Sequence, residues 1–493
     1  MRFLILLTAT LLSAAHPAFA ADTPEPLALE ALLSGLDSDR LFKQAKVGLC
    51  VVNLRTGDMV FERNSEDGLN PASTMKVVTS ATALKYLGPS YKYHTTIYTD
   101  GGVPSTGVVK GNLYVEGGGD PLFVVERMWK LVHDLKLAGL EQVAGDVIFD
   151  ESFFDSDYAL PGWTKKSDLA RGPAYFASLS ALSLNFNSLS LAVRPGKQAG
   201  QPAVVELETP ASGYIEIVNE VTTGGAGSRR SLGVERKIVD GKLRMTMTGS
   251  IASDGEMQRV YRSVADPTAH FMAAWMDMMA AQGIDVKGEA RQGRTAKSAQ
   301  RVAQLTSPPL ASILMDMNKY SNNFMAEQVL RTIGAEVKGG PGTTEKGLEV
   351  VAEYLASLGL DPAEFTLVNG SGLTTQGKLS AEVLTSVLVD MAADANVGNE
   401  FRTSLAIAGL DGTLVRRLTD DPGRLRGKTG TIDGVHCLAG YVGANDGDQY
   451  AFAFMVNDHG GSVSQVKRLH DRFAHKMFEA ETDLDVQLRT DKE

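Results

Sequence analysis

Asn70-Pro71-Ala72-Ser73-Thr74-Met75-Lys76 is the stretch on which the fold turns. Pro71 and Ala72 lead into Ser73, after which Lys76, Val77, Ala81 and Leu84 recur at helical spacing. Gly88-Pro89 supplies the stop. Ser73 therefore stands at a helix start, and Lys76 lies one turn on, on the same face. That placement suits a nucleophile and its base. The hydroxyl needs a proton acceptor, and helix-end N–H groups favour developing negative charge. A free lysine titrates near about 10.4, so Lys76 serves as a base only where burial or a second cation favours its neutral form. Taken alone, the pair reads more readily as a helix cap and a solvated lysine.

Two further segments change that balance. Leu310, Ile313, Leu314 and Met317 form one apolar helix face, and Ser321-Asn322-Asn323 then reads as the turn into a second helix. There Ser321 is placed to pass a proton between Lys76 and a leaving amine, and Asn323 to bind a substrate backbone. The third segment, Arg424-Leu425-Arg426-Gly427-Lys428-Thr429-Gly430-Thr431, reads as a strand. Leu438 to Gly443 and Tyr450 to Val456 follow as two more, with Gly-rich turns that suggest an antiparallel sheet. Lys428 is the candidate second cation. Lys428 and Thr429 would hold a terminal carboxylate, and Gly430 would leave room for the ligand backbone. The N–H groups of Ser73 and Thr431 would form an oxyanion hole.

Composition sets the setting. Met1 to Ala20 has a short positive start, an apolar run and an Ala18-Phe19-Ala20 ending, the pattern of a cleaved signal peptide. No second apolar run approaches the roughly 20 residues needed to cross a bilayer. The expected location is therefore the periplasm or outside the cell, with no transmembrane anchor. A net charge of −11 argues against nucleic acid. Cys50 and Cys437 both sit in apolar strand-like runs, as two buried thiols or as a bridge that an oxidising compartment permits. Neither C-x-x-C nor His-Glu-x-x-His occurs, so no metal or other cofactor is implied. His436 reads as structural.

The chain divides unevenly. Lys46 to Glu62 reads as two strands about a Thr56-Gly57-Asp58 turn, running straight into the Ser73 helix. The Lys428 strands lie at the opposite end, so both ends must build one domain. From Ser73 to Ser321 the chain runs 248 positions, far more than a loop needs. Within that span a strand at Leu113-Tyr114-Val115, a helix from Val124 to Ala138 and a strand at Asp146 to Phe149 form a βαβ pattern. Residues 178–248 read as mostly β, and Asp266-Pro267 opens a helix that stops at Gly283.

Together these segments resemble the D-alanyl-D-alanine carboxypeptidase and endopeptidase family, the low-molecular-mass class C penicillin-binding proteins of the penicillin-binding protein 4 type. The resemblance rests on the ordered pattern S-x-x-K, S-x-N, K-T-G. It also rests on Gly117-Gly118-Gly119-Asp120-Pro121, Gly145 to Asp150 and Ser180-Ala181-Leu182-Ser183. It implies an α/β (α+β) transpeptidase-like domain, an antiparallel sheet flanked by helices, with nested β-rich inserts. The implied division is a signal peptide at 1–20, a split catalytic domain at 21–96 and 266–493, an inserted domain at 97–100 and 171–265, and a nested one at 101–170. The implied partners are peptidoglycan peptides ending in D-alanyl-D-alanine, and β-lactams. The implied chemistry is acyl transfer on Ser73, with Lys76, Ser321, Asn323 and Lys428 catalytic and Thr429, Gly430 and Thr431 binding substrate. A family carboxylate that reaches the cleft from the insert matches Asp168. Asn369-Gly370-Ser371-Gly372-Leu373 resembles a segment that begins with Asp in the family, and here begins with Asn. A serine β-lactamase shares the three motifs but lacks so long an insert. A non-catalytic wall-binding protein on the same fold would not need all five site residues.

Overall fold

The computed structural model describes residues 43–102, 107–163, 171–209, 211, 213–445 and 447–479. The signal peptide, Asp168 and the polar tail from Thr482 lie outside them.

The two ends of the chain meet in one antiparallel sheet of six strands. Its order is Ala406–Ile407, Leu425–Ile432, Val435–Gly443, Gln449–Asn457, Lys46–Asn53 and Met59–Arg63. Lys46–Asn53 pairs along its whole length with Gln449–Asn457, Cys50 opposite Ala453. The central strands are buried on both faces, so they read as continuous apolar runs rather than an alternation. Size alternates instead. Phe452, Phe454 and Val456 point to one side, where the helix Val463–Phe478 packs Leu469 and Phe473 against them. The Phe454 and Phe473 rings lie 5.3 Å apart. Ala451, Ala453 and Ala439 point to the other side, and their small side chains admit the helices Met75–Leu87 and Ala381–Ala393.

The 248-position span between the two serines carries its own sheets. Leu113–Gly117, the helix Val125–Leu137 and Val147–Asp150 form the expected βαβ unit, the strands pairing in parallel. Val147–Asp150 and Leu113–Gly117 are the second and third strands of a five-stranded sheet, between Ala290–Gln292 and His94–Thr99, with Gln300–Thr306 at the far edge. Two three-stranded sheets account for the β-rich stretch. Ser188–Arg194 lies between Val204–Leu207 and Gln258–Ser263, and Lys242–Ala252 between Ile215–Gly224 and Ser231–Val239. All share one apolar core.

Strand pairing differs from the expected return to the first domain at 266. The helix Pro267–Ala281 starts where expected, with the Asp266 carboxylate accepting from the Ala269 N–H at 2.9 Å. Its apolar face, however, belongs to the insert. Trp275 is fully buried, and the Phe271 ring lies tilted 5.4 Å from Phe123 and edge-on 6.2 Å from Phe149. Ala290–Gln292 and Gln300–Thr306 then complete the insert's sheet. These two strands carry too few apolar residues to announce a core, and only their pairing assigns them. The cysteines are both free and buried. Cys50 and Cys437 sit on strands separated by Gln449–Asn457.

Candidate active site

The site forms where the helix start, the Ser321 turn and the Lys428 strand converge. Ser73 sits in a single 3-10 turn, Ala72–Thr74, that runs into the helix Met75–Leu87. The residue before it, Ala72, is fully buried and left-handed, with φ 45°. Ser321 is likewise left-handed, with φ 56°, between the helices Leu310–Lys319 and Asn323–Lys338. A non-glycine residue held this way costs of order 1–3 kcal/mol and persists only where its surroundings over-determine it. Here they do: Asn322 caps the second helix by accepting from Met325 N–H at 3.0 Å.

Lys76 is completely buried. Its Nζ donates to Ser73 Oγ at 3.1 Å, to Asn323 Oδ1 at 2.7 Å and to the Ser371 carbonyl at 2.7 Å. Burial lowers its proton affinity to about 7, against the opposing pull of Glu327. Lys428 is completely buried as well. Its Nζ donates to Ser321 Oγ at 2.9 Å and to the Thr429 carbonyl at 2.8 Å. Burial, and then the neighbouring Lys76, hold Lys428 well below the ordinary lysine range.

A cavity of about 730 Å³ opens over Ser73, Ser321, Asn323, Trp163, Tyr175 and Thr431. A second of about 370 Å³ adjoins it beside Thr429, Gly430, Thr413 and His436. The structure thus brings together Ser73, Lys76, Ser321, Asn323, Lys428, Thr429, Gly430 and Thr431. Trp163, five residues before Asp168 in sequence, is on the wall.

Four expectations change in detail. Lys428 lies behind Ser321 and does not face the opening, where Thr429 and Thr431 stand; Thr429 Oγ1 donates to Thr413 Oγ1 at 2.8 Å. Ser321 Oγ is engaged by Lys428 rather than by Lys76. Asn323 is committed on both sides, its Oδ1 to Lys76 and its Nδ2 to the Tyr175 carbonyl at 3.1 Å. Gly430 makes room for the protein rather than for a ligand: a Cβ there would meet the Pro71 carbonyl at 2.6 Å and Ser73 N at 3.2 Å. This glycine lets the strand Leu425–Ile432 press against the turn that carries Ser73.

The family model for the D-Ala-D-Ala carboxypeptidase 3 (S13) family matches residues 29–476. The chain belongs to that family. A D-alanyl-D-alanine carboxypeptidase from an Actinomadura strain is 32% identical, over 92% of this chain and 86% of its own. A crystal structure of penicillin binding protein 4 from Haemophilus influenzae superposes with a TM-score of 0.78. It is 23% identical and covers 91% of this chain and 99% of its own. A second structure of that protein, complexed with a β-lactam, gives 0.73 at 22% identity, with the same coverage.

In this D-Ala-D-Ala carboxypeptidase several site residues escaped the sequence reading. Ser371 contributes its carbonyl rather than its hydroxyl, a role no motif displays. Asn369 folds its side chain into its own loop: Oδ1 accepts from Gly372 N–H at 2.9 Å, and Nδ2 donates to the Pro161 and Leu373 carbonyls. Gly372 is left-handed, φ +76°, and a Cβ would strike the Ala72 carbonyl at 1.8 Å. His436 lines both cavities, its Nδ1 2.8 Å from His459 Nε2 and its own Nε2 buried without a partner. Burial lowers His436 to about 4, so the ring is neutral near pH 7. Glu327 was missed as well, though its spacing was a signal: it follows Asn323 by four residues and so shares its helix face.

Proposed function

We propose that this carboxypeptidase cleaves the D-alanyl-D-alanine bond of peptidoglycan stem peptides, and D-alanyl cross-links, through an ester on Ser73. The observation that carries this is the buried Lys76 amine, 3.1 Å from Ser73 Oγ and able to be neutral near pH 7. A neutral Lys76 takes the Ser73 proton as Oγ attacks the carbonyl carbon. The oxyanion rests on the N–H groups of Ser73 and Thr431. The proton now on Lys76 passes by way of Ser321, which Lys428 Nζ holds at 2.9 Å, to the departing amine as the C–N bond breaks, leaving Lys76 neutral again. Water then attacks the ester, returns a proton to Ser73 Oγ and frees the shortened peptide. Thr429 and Thr431, at the opening, receive the terminal carboxylate. A β-lactam enters by the same attack but leaves no diffusible amine, so its ester persists.

The division of the chain that supports this reading is a split catalytic unit closed by the pairing of Lys46–Asn53 with Gln449–Asn457. The insert spans roughly residues 94–306. The protein acts in an exported compartment, periplasmic or extracellular; the leader-like N-terminus supports this. Among the described residues no helix is long and apolar enough to cross a membrane.

Incubation with a labelled penicillin tests the proposal. The expected result is a long-lived adduct, placed by mass spectrometry on the peptide containing Ser73, and absent in a folded Ser73→Ala variant. Rapid turnover without accumulation would mark a β-lactamase, and an adduct on Ser321 or Ser371 would overturn the assignment.

A further inference from the structure

We propose that Glu327 is a positioning residue for Lys76, fixing the carbonyl that holds the lysine and providing, among the described residues, its facing counter-charge. This inference rests on the assignment of Lys76 as the base for Ser73.

Glu327 is 1% exposed, on the helix Asn323–Lys338, one turn after Asn323. Its Oε2 accepts from Gly370 N–H at 3.0 Å and its Oε1 from Ser371 N–H at 2.7 Å. Both oxygens accept, the pattern of a carboxylate rather than a carboxylic acid. Two N–H bonds to one carboxylate pin the 370–371 backbone. The next carbonyl along, that of Ser371, is thereby aimed at Lys76 Nζ, 2.7 Å away. Lys76 is thus held twice by the same helix: through Asn323 Oδ1 directly, and through Glu327 by way of the loop.

Burial pushes the Glu327 carboxyl up, and the N–H bonds from Ser371 and Gly370 together with the charge of Lys76 oppose that and favour the carboxylate. Among the described residues, the charged groups facing Lys76 are Glu327 from this helix and Lys428 from the strand Leu425–Ile432. The 369–373 loop brings only neutral side chains, Asn369 and Ser371. Asp390 and Asp394, from the neighbouring helix and its end, engage Lys85 at the other end of the Ser73 helix. Burial drives the Lys76 amine toward the neutral form, and Glu327 opposes it. Glu327 therefore raises the pH at which Lys76 gives up its proton and becomes a base. The arrangement leaves the lysine able both to accept the Ser73 proton and to hold it through the reaction.

The test is the pH dependence of acylation by a labelled β-lactam in wild type, Glu327→Gln and Glu327→Asp. Removing the charge lets Lys76 stay neutral to lower pH. The acid limb of Glu327→Gln is expected to move down by roughly one pH unit. Its plateau should fall about tenfold, because an amide cannot accept from both N–H groups. Glu327→Asp keeps the charge but withdraws it, so a smaller downward shift is expected, and this variant decides the matter should the glutamine protein not fold. A plateau that falls with the limb unmoved in the folded variants would reduce Glu327 to a structural residue and overturn the proposal. Absence of any Ser73 adduct in the wild type would be a different failure, removing the acyl-enzyme reading and this inference with it.

Discussion

The two walls of the cleft each bury a lysine on a serine, yet they are built differently. On the helical wall Lys76 meets Ser73 Oγ, Asn323 Oδ1 and the Ser371 carbonyl, with Glu327 behind it. On the strand wall Lys428 meets Ser321 Oγ and the Thr429 carbonyl, with Lys76 as its facing charge. Burial pushes both toward neutrality, but among the described residues only Lys76 has an acid to offset it. The difference teaches a division of labour. Lys76 stays close to its titration point near neutral pH and can exchange a proton. Burial and the facing Lys76 both disfavour charge on Lys428, and a substrate carboxylate reaching the cleft would favour it. Its effect then travels through Ser321.

The helical wall should break hardest. Lys76→Arg is expected to slow β-lactam acylation by roughly 10²–10⁴-fold, because a guanidinium stays protonated at any working pH and cannot serve as a base. Burst or mass-spectrometric acylation rates measure this. Rates near wild type would move the base elsewhere.

Lys428→Ala should cost less, about ten- to a hundredfold in acylation, since it strands Ser321 Oγ rather than Ser73. Removing a neighbouring cation raises the proton affinity of Lys76, so the acid limb should move up. Because burial and Lys76 already disfavour the charged form of Lys428, the shift should be smaller than the downward one at Glu327→Gln. An upward shift exceeding it would show that Lys428 is charged in the empty cleft, and the contrast between the walls would fail.

Gly430→Ala probes the seam between the walls. The added methyl meets the Pro71 carbonyl at 2.6 Å, and backbone there has little freedom to yield. A loss of about 1–3 kcal/mol in stability is expected, read as a lowered Tm together with slower acylation. An unchanged melt would mean the strand can retreat from the Ser73 turn without penalty.

The smallest effect belongs to the sheet behind the strand wall. Cys50 and Cys437 are buried free thiols, pushed up to about 11 and about 12 by desolvation. A reductant should leave Tm and acylation unchanged, and thiol reagents should label neither cysteine until the chain unfolds. A reductant-sensitive melt would contradict the geometry.

Much of this was legible in the sequence because it depends on local chemistry. A helix start fixes Ser73 and Lys76 one turn apart, whatever surrounds them. The βαβ unit announced itself through periodicity, and Asp266-Pro267 through capping. The long span between Ser73 and Ser321 required an insert. Tertiary structure alone decided the rest. Gln300–Thr306 is a mostly polar strand whose place in the insert's sheet follows from partners two hundred residues away. Gly430 and Gly372 are needed because of the backbone each one touches, not the ligand. Lys428 stands behind Ser321 because of where the strand crosses the turn. The proton affinities of both lysines come from burial, a property of the folded chain. A sequence states which groups are present and how neighbouring ones are spaced along a helix or strand. The desolvation and the carboxylate contact that make Lys76 a base exist only once Glu327, the 369–373 loop and the Ser73 helix have packed together.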